Sequence, residues 1–301
     1  GLAEVTNPDI RPLNAGEYTD FRRDLLRLEN PNMPEYYYHS PDNLPSGLSV
    51  DEWINYNPNP NADITREWLN RLLFYADEIE NYEAGRIENW YDRVIQTGLR
   101  QNYDVSFGGG TQNISYYASL GYTNNEGVQA GDEFSTIRSR LNIETKISDF
   151  MDVGIHAQYS SRDNSSVLSN MGQWMMQSPY GNMYEEDGSI KWYPNSYNGL
   201  TNPLINTLLQ ERLAKVNSLF TNVFAQIELP YSFSYRFSFQ PRLVFSNNFN
   251  FWGSNTITGA QSHSGGYGTR DQGKTYEWMI DQLLKWNKQY GMHSFDFTFL
   301  Y

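Results

Sequence analysis

Gly108-Gly109-Gly110 is the kind of run that cradles a phosphate, Glu185-Glu186-Asp187 the kind that hydrolyses a glycoside, and Asn57, Asn59 and Asn61 the kind that ligates calcium. Each points to simpler structure. A phosphate cradle must open a helix so that backbone N–H groups converge on the anion; here strand-like alternation follows the glycines, which favours a tight turn. Adjacent acids followed by Gly188 read as a solvated turn, with no second carboxylate to pair with them. The asparagines lack the glycine a calcium loop needs at its sixth position, and Trp68 stands at the twelfth. His39, His156, His263 and His293 have no ligand spacing, and the chain holds no Cys, so neither a zinc site nor thiol chemistry is expected. No Ser/His/Asp arrangement can be assembled either. The reading is a protein that is not an enzyme and needs no metal or cofactor.

Binding is better served. The stretch 164–215 carries Trp174, Tyr180, Tyr184, Trp192, Tyr193 and Tyr197. Aromatic faces stack on sugars and grip peptides, so these six are candidate substrate contacts. The competing reading is a mini-core within a long loop, or packing against a partner. A second stretch, 251–273, offers Trp252, His263 and Tyr267 amid Gly and Ser and reads as more flexible.

What must position these loops is a set of strands. Runs near 101–109, 114–123, 134–147, 151–163, 216–229, 232–250, 274–288 and 293–301 alternate apolar or aromatic with polar residues. Period-2 alternation puts one face in an apolar medium and the other in a wet one. Short connections (110–113, 148–150, 230–231, 289–292) strictly alternate with longer ones (124–133, 164–215, 251–273). That is the build of an outer-membrane barrel, with turns at the periplasmic end and long loops outside. The runs reach the ~9–11 residues a tilted strand needs to cross a bilayer. In Ile137–Ile147 every charge falls on one face; an Arg or Lys facing lipid near mid-bilayer costs roughly 2–4 kcal/mol. Arg138, Arg140, Glu144 and Lys146 are therefore expected to face the lumen. Ser232 to Gln240 repeat the pattern, and Pro241 then suggests a bulge.

Composition agrees. Tyr (23), Phe (16) and Trp (8) make aromatic residues 16% of 301, while hydrophobic residues in total reach 39%. A barrel needs apolar side chains only on its lipid face and aromatic girdles at the interfaces. Net charge is −13, of which residues 1–100 supply −9 with nine Arg and no Lys; so acidic a chain would repel a phosphate backbone, which excludes nucleic acid as a partner. Residues 1–100 read as a partly helical extracellular loop region. Asn14 with Glu17 and Ser49 with Glu52 are capping-box signatures. Ile64, Trp68, Leu69, Leu72, Leu73, Ala76 and Ile79 form a stripe read as one helix starting near Asp63. The opening Gly1-Leu2-Ala3 and the alternating final run 295–301 look like cuts through a longer exported protein.

The order Trp90, Asp92, then Gln101, Ser106, Gly108, Gly109, then Tyr116, Ser119, Gly121, Tyr122, then Glu126, Gly127, then Arg138, Asn142 resembles the SusC/RagA family, as does the helix start Leu13–Tyr18. The likeness is specific over 89–160 and continues afterwards as barrel pattern. These are TonB-dependent outer-membrane transporters of the Bacteroidetes. The resemblance implies a 22-stranded class of barrel with a plugged lumen, a SusD-like surface lipoprotein as lid, and energy delivered by the TonB complex. It implies import of glycans or oligopeptides, and it places the plug and TonB box outside this chain.

The expected fold is therefore all-β: about eight strands (101–301) of a large antiparallel transmembrane barrel in a Gram-negative outer membrane, with long, partly helical extracellular loops. The alternatives are a passive porin or surface adhesin on the same strands, or a soluble β-rich carbohydrate-binding module or hydrolase.

Overall fold

The computed structural model describes residues 1–7, 9–56, 63–262 and 265–301. Asn57, Asn59, Asn61 and His263 lie outside the described residues. The chain begins with β1 (Leu2–Ala3) and four helices, α1 (Ala15–Glu29), α2 (Val50–Asn55), α3 (Ile64–Arg71) and α4 (Ala76–Glu83), then α5 (Trp90–Val94). Strands follow: β2 (Gly98–Gly110), β3 (Ile114–Glu126), β4 (Glu133–Ser148) and β5 (Met151–Asp163). After short α6 (Met171–Met175) and α7 (Ile205–Leu209) come β6 (Gln210–Leu229), β7 (Phe233–Gly253), α8 (Ile257–Gln261), β8 (Gly266–Tyr290) and β9 (His293–Leu300). All nine strands form one antiparallel sheet in chain order. Every connection joins neighbours, so turns and loops segregate to opposite ends of the sheet.

Register settles the two faces. Tyr116, Ile143, Ile155, Val223, Phe239 and Ile280 stand side by side across β3 to β8. One row away on the other face, the set is Ser115, Glu144, Gly154, Phe224, Ser238 and Asp281. Ile137, Leu141 and Phe237 belong to the apolar face and are exposed, with no helix or second sheet over them. A soluble sheet would bury such a face; this one is suited to hydrocarbon. Among the described residues no helix is long and apolar enough to cross a membrane, so any crossing is made by strands.

Three details depart from the sequence reading. β6, β7 and β8 run for 20, 21 and 25 residues, well past their alternating cores. Positions such as Gln210, Glu211 and Arg212 do not alternate because both faces are wet there, yet their backbone pairing with β7 continues to Trp252. The long connections consequently shorten to 164–209 and 254–265. Pro241 makes no bulge: pairs on either side, Phe220 with Arg242 and Val223 with Phe239, keep one register, and only Thr221 and Asn222 lose their partners. The missing proline N–H breaks ladder bonds without inserting a residue. The observed irregularity lies instead between Lys146 and Ser148. Finally, the stripe from Ile64 to Ile79 is two helices. Arg22 donates to the carbonyls of Leu72 (3.0 Å) and Leu73 (2.7 Å), Leu73 turns to φ 54°, and the Tyr75 N–H bonds to Glu78 to open α4. Both capping boxes, Asn14/Glu17 and Ser49/Glu52, are present.

The glycine triplet ends β2 rather than forming the turn. A Cβ on Gly110 would meet the Ile114 carbonyl at 2.6 Å, and one on Gly109 the Tyr116 hydroxyl at 2.7 Å. The backbone contact at Gly110 is the one that requires glycine; the turn is 111–113, closed by Thr111 N–H to the Ile114 carbonyl.

In the whole protein refolded into lipid vesicles, Leu141→Arg is expected to cost about 2–4 kcal/mol in urea unfolding, because it drives a charge into the apolar face. Asn142→Arg, one residue along and facing the other way, is expected to cost far less.

Candidate functional site

A helical lobe sits at the long-loop end of the sheet, held by two aromatic cores. The first gathers Leu26, Tyr37, Tyr38, Trp53, Trp68, Leu69, Leu72, Phe74 and Ile79 from the first four helices and their loops, and takes in Tyr180 from the β5–β6 connection. Within it Arg71 is buried between Trp53 (3.9 Å to the ring) and Tyr37 (4.4 Å), ion-paired to Glu67 at 2.8 Å. It also donates to the Trp53 carbonyl at 3.2 Å. A buried charge is tolerable only when so fully partnered. Buried Glu78 accepts the Tyr18 hydroxyl at 2.8 Å. Burial, then the Glu78 carboxylate, push that phenol well above its usual pKa.

The second core joins Trp90 and Val94 of α5 to Trp174, Met183 and Leu204, with Ala130 of the β3–β4 loop against it. Two indoles lock it: Trp90 Nε1 donates to the Ser178 carbonyl (2.8 Å) and Trp174 Nε1 to the Trp90 carbonyl (2.7 Å). Backbone bonds Gln96 N–H to Val128 O and Ala130 N–H to Val94 O, both short, fasten the lobe to the strand ends. Gly131 is required at that junction: its φ is 79°, and a Cβ would collide with the Val167 carbonyl.

The six loop aromatics divide accordingly. Trp174 has no exposed surface and Tyr180 only 6%. Both are core residues, which corrects the expectation of a substrate contact: their rings are spent on packing against Tyr91 and against Phe74 and Tyr82. Tyr184 and Tyr197 are exposed at 46% and 44%. Tyr197 stacks on Tyr75, centroids 5.2 Å apart and planes 12° off parallel; Tyr184 lies 5.9 Å from the Arg93 guanidinium. Trp192 and Tyr193 are half-buried. Trp192 Nε1 donates to the Asn255 carbonyl at 3.1 Å, tying this loop to the β7–β8 loop. Beside them an open groove of about 530 Å³ is lined by Glu185, Lys191, Trp192, Tyr193 and Ser196 among others. Lys191 spans Asp77 (3.0 Å) and Glu185 (3.5 Å), and Ser196 also bonds to Asp77. Partial burial of the Lys191 ammonium would lower its pKa, but Asp77 and then Glu185 outweigh that and raise it. Asp187 accepts from Ser189 N–H and Oγ, and Gly188 at φ 84° closes the turn expected there. Trp252 and Tyr267 stack on each other at 5.5 Å across the tops of β7 and β8.

The four charges of β4 project from one face of the sheet. Glu144 sits 2.8 Å from His156 Nε2, Lys146 bonds to Asp149 at 3.4 Å, and Arg138 donates to Thr123 at 2.9 Å. The same face carries Arg242 with Glu277 (3.1 Å), Gln240 with Asp281 (2.6 Å) and Arg236 over Phe224 (3.8 Å). Asp104, Gln158 and Arg242 on this face were not singled out from the sequence, although the same alternation marks them. His39, His156 and His293 do not converge, and no metal-binding cluster occurs among the described residues.

No protein-family model matches the chain. It is 30% identical over 176 residues to TonB-dependent receptor P26 of Formosa agariphila, covering 58% of this chain and 17% of that one. It is 25% identical over 104 residues to the TonB-dependent receptor SusC of Bacteroides thetaiotaomicron, 34% of this chain and 10% of that protein. The chain thus spans less than a fifth of the length of either relative. A solved structure of the RagAB peptide transporter superposes with a TM-score of 0.65 at 16% identity, over 97% of this chain and 32% of that one; its closed-closed state gives 0.62. At that identity the likeness is one of fold.

Two outcomes test the lobe. Trp174→Ala is expected to cost about 3–5 kcal/mol and to speed hydrogen exchange at 90–95 and 174–183, whereas Tyr184→Ala leaves both near the parent values. Glu17, held by the Arg11 guanidinium and then the Asn14 N–H, has its pKa drawn from 4.5 down to about 2. Its contribution to the α1 start is thus complete above pH 4.5 and fades as pH falls towards about 2; a Glu17 side-chain carbonyl titrating in the ordinary range would refute it. In sequence the chain is thus similar to stretches of TonB-dependent receptors, SusC among them, and in fold to a sector of the RagAB transporter.

Proposed function

We propose that the protein to which this chain belongs imports glycans or oligopeptides across a Gram-negative outer membrane, driven by the TonB complex and lidded by a SusD-like lipoprotein. The chain supplies a sector of pore wall and part of the outer vestibule. The apolar face meets lipid, and the face bearing Arg138, Arg140, Glu144 and Lys146 lines the lumen. The described residues of 1–97, and residues 164–209, stand outside the membrane. There Tyr184, Trp192, Tyr193 and Tyr197 bind cargo, while Trp174 and Tyr180 hold the loop in shape.

The observation that carries this reading is the pairing of an uncovered apolar face with a charged one on strands long enough to cross a bilayer. RagAB is a peptide importer, and the curated relatives are TonB-dependent receptors; both support energised import over a passive pore. No covalent step is needed, because release inward is a conformational event.

In cells producing the whole protein, uptake of a labelled oligosaccharide or peptide that supports growth is expected to stop when the proton gradient is collapsed or TonB is deleted. Uptake that continues unchanged would instead make the protein a passive porin. Tyr197→Ala with Trp192→Ala is expected to weaken cargo binding about tenfold, in keeping with roughly 0.5–1.5 kcal/mol per aromatic contact, without altering barrel assembly.

A further inference from the structure

On the charged face, Arg138 and Arg140 line an open recess of about 430 Å³ in the wall itself, below the lobe. They sit two residues apart on β4, so their Cα atoms are about 7 Å apart on the same face. Other cations on this face are engaged: Arg242 with Glu277, Lys146 with Asp149, Arg236 with the Phe224 ring. Among the described residues, neither Arg138 nor Arg140 forms an ion pair. The Arg140 side chain makes no hydrogen bond there either.

Arg138 is braced rather than neutralised. One of its nitrogens donates to Thr123 Oγ1 at 2.9 Å, and that buried hydroxyl donates in turn to Asn102 at 2.9 Å. The brace uses one edge of the guanidinium and leaves the rest of its fork free. Asp104 and Gln158 also line the recess. A Cβ at Gly121 would collide with the Asp104 carboxylate, so glycine there leaves that carboxylate its place. Two adjacent, uncompensated guanidiniums repel each other. A planar or tetrahedral oxyanion set between them removes the repulsion and takes up charge-assisted, forked hydrogen bonds.

We infer that Arg138 and Arg140 form an oxyanion subsite in the pore wall that takes a carboxylate or sulfate group of the cargo. Asp104 and Gln158 accept from and donate to the hydroxyls or amides beside that group, so an oxyanion carried on a polar oligomer fits better than a bare ion. The inference rests on the import reading and narrows its cargo to acidic oligomers.

Selenate, a scatterer that mimics sulfate, is the direct probe in crystals of the whole receptor. An anomalous peak between the two guanidiniums is expected, lost in Arg140→Gln and partly kept in Arg140→Lys. No peak in the parent overturns the subsite; a peak that survives both Arg138→Gln and Arg140→Gln marks an adventitious ion and overturns it equally. Two matched pairs then separate the sources of the group in detergent-solubilised receptor: an oligoglucuronide against a neutral oligoglucoside of equal length, and a peptide against its C-terminal amide. The acidic member of at least one pair is expected to bind about tenfold tighter, and Arg140→Gln to erase the difference. Absence of an acidic preference in both pairs overturns the assignment. Passive uptake alongside an intact selenate peak would instead sink the import reading and leave the anion site standing.

Discussion

Everything in this chain depends on the requirement that a backbone crossing hydrocarbon satisfy its hydrogen bonds without water. A meandering antiparallel sheet does so strand by strand, each bonded to both neighbours across β2 to β8. Once the ladder is set, side chains have no freedom of face. Alternation assigns Ile143 and Val223 to lipid and Glu144 and Phe224 to the opposite side, and a one-residue slip would reverse them all. Pro241 shows how robust the register is: the ladder to β6 breaks at Thr221 and Asn222 and resumes unchanged.

The lobe obeys a different constraint. In water, a loop region must earn its order by burying apolar surface, and here four separate chain segments share two small cores. The indoles of Trp90 and Trp174 each donate to a carbonyl of a different segment. They therefore act as cross-links as well as filler. The rigid anchoring of the lobe to α5 and the strand tops follows from those bonds. Exposed rings such as Tyr184 and Tyr197 are presented on a frame that the two cores have already ordered.

The charged face has a third character. Two of its cations, Lys146 and Arg242, are ion-paired within the wall. Arg138 and Arg140 are not, and the residues across from them, Gly121, Ser119, Ser160 and Gln158, are small or neutral. A wall so arranged is polar enough to hold water and selective in where it leaves charge unmatched.

Much of this was legible beforehand, and for a physical reason. A strand between two media writes its environment into every second residue, so the all-β barrel wall, the shared face of Arg138, Arg140, Glu144 and Lys146, and the segregation of turns from loops could be read from local pattern. Both capping boxes were readable too, since Asn14 and Ser49 act on residues three positions away. What tertiary structure alone decided is everything set by distant partners. The single stripe from Ile64 to Ile79 became two helices because Arg22, some fifty residues earlier, caps the first. Trp174 and Tyr180 left the list of ligand contacts because Trp90, Tyr18 and Phe74 enclose them. β6 to β8 outran their alternation because pairing persists where both faces are wet. Periodicity records the medium around a side chain; which side chain fills that medium depends on contacts that no local pattern encodes.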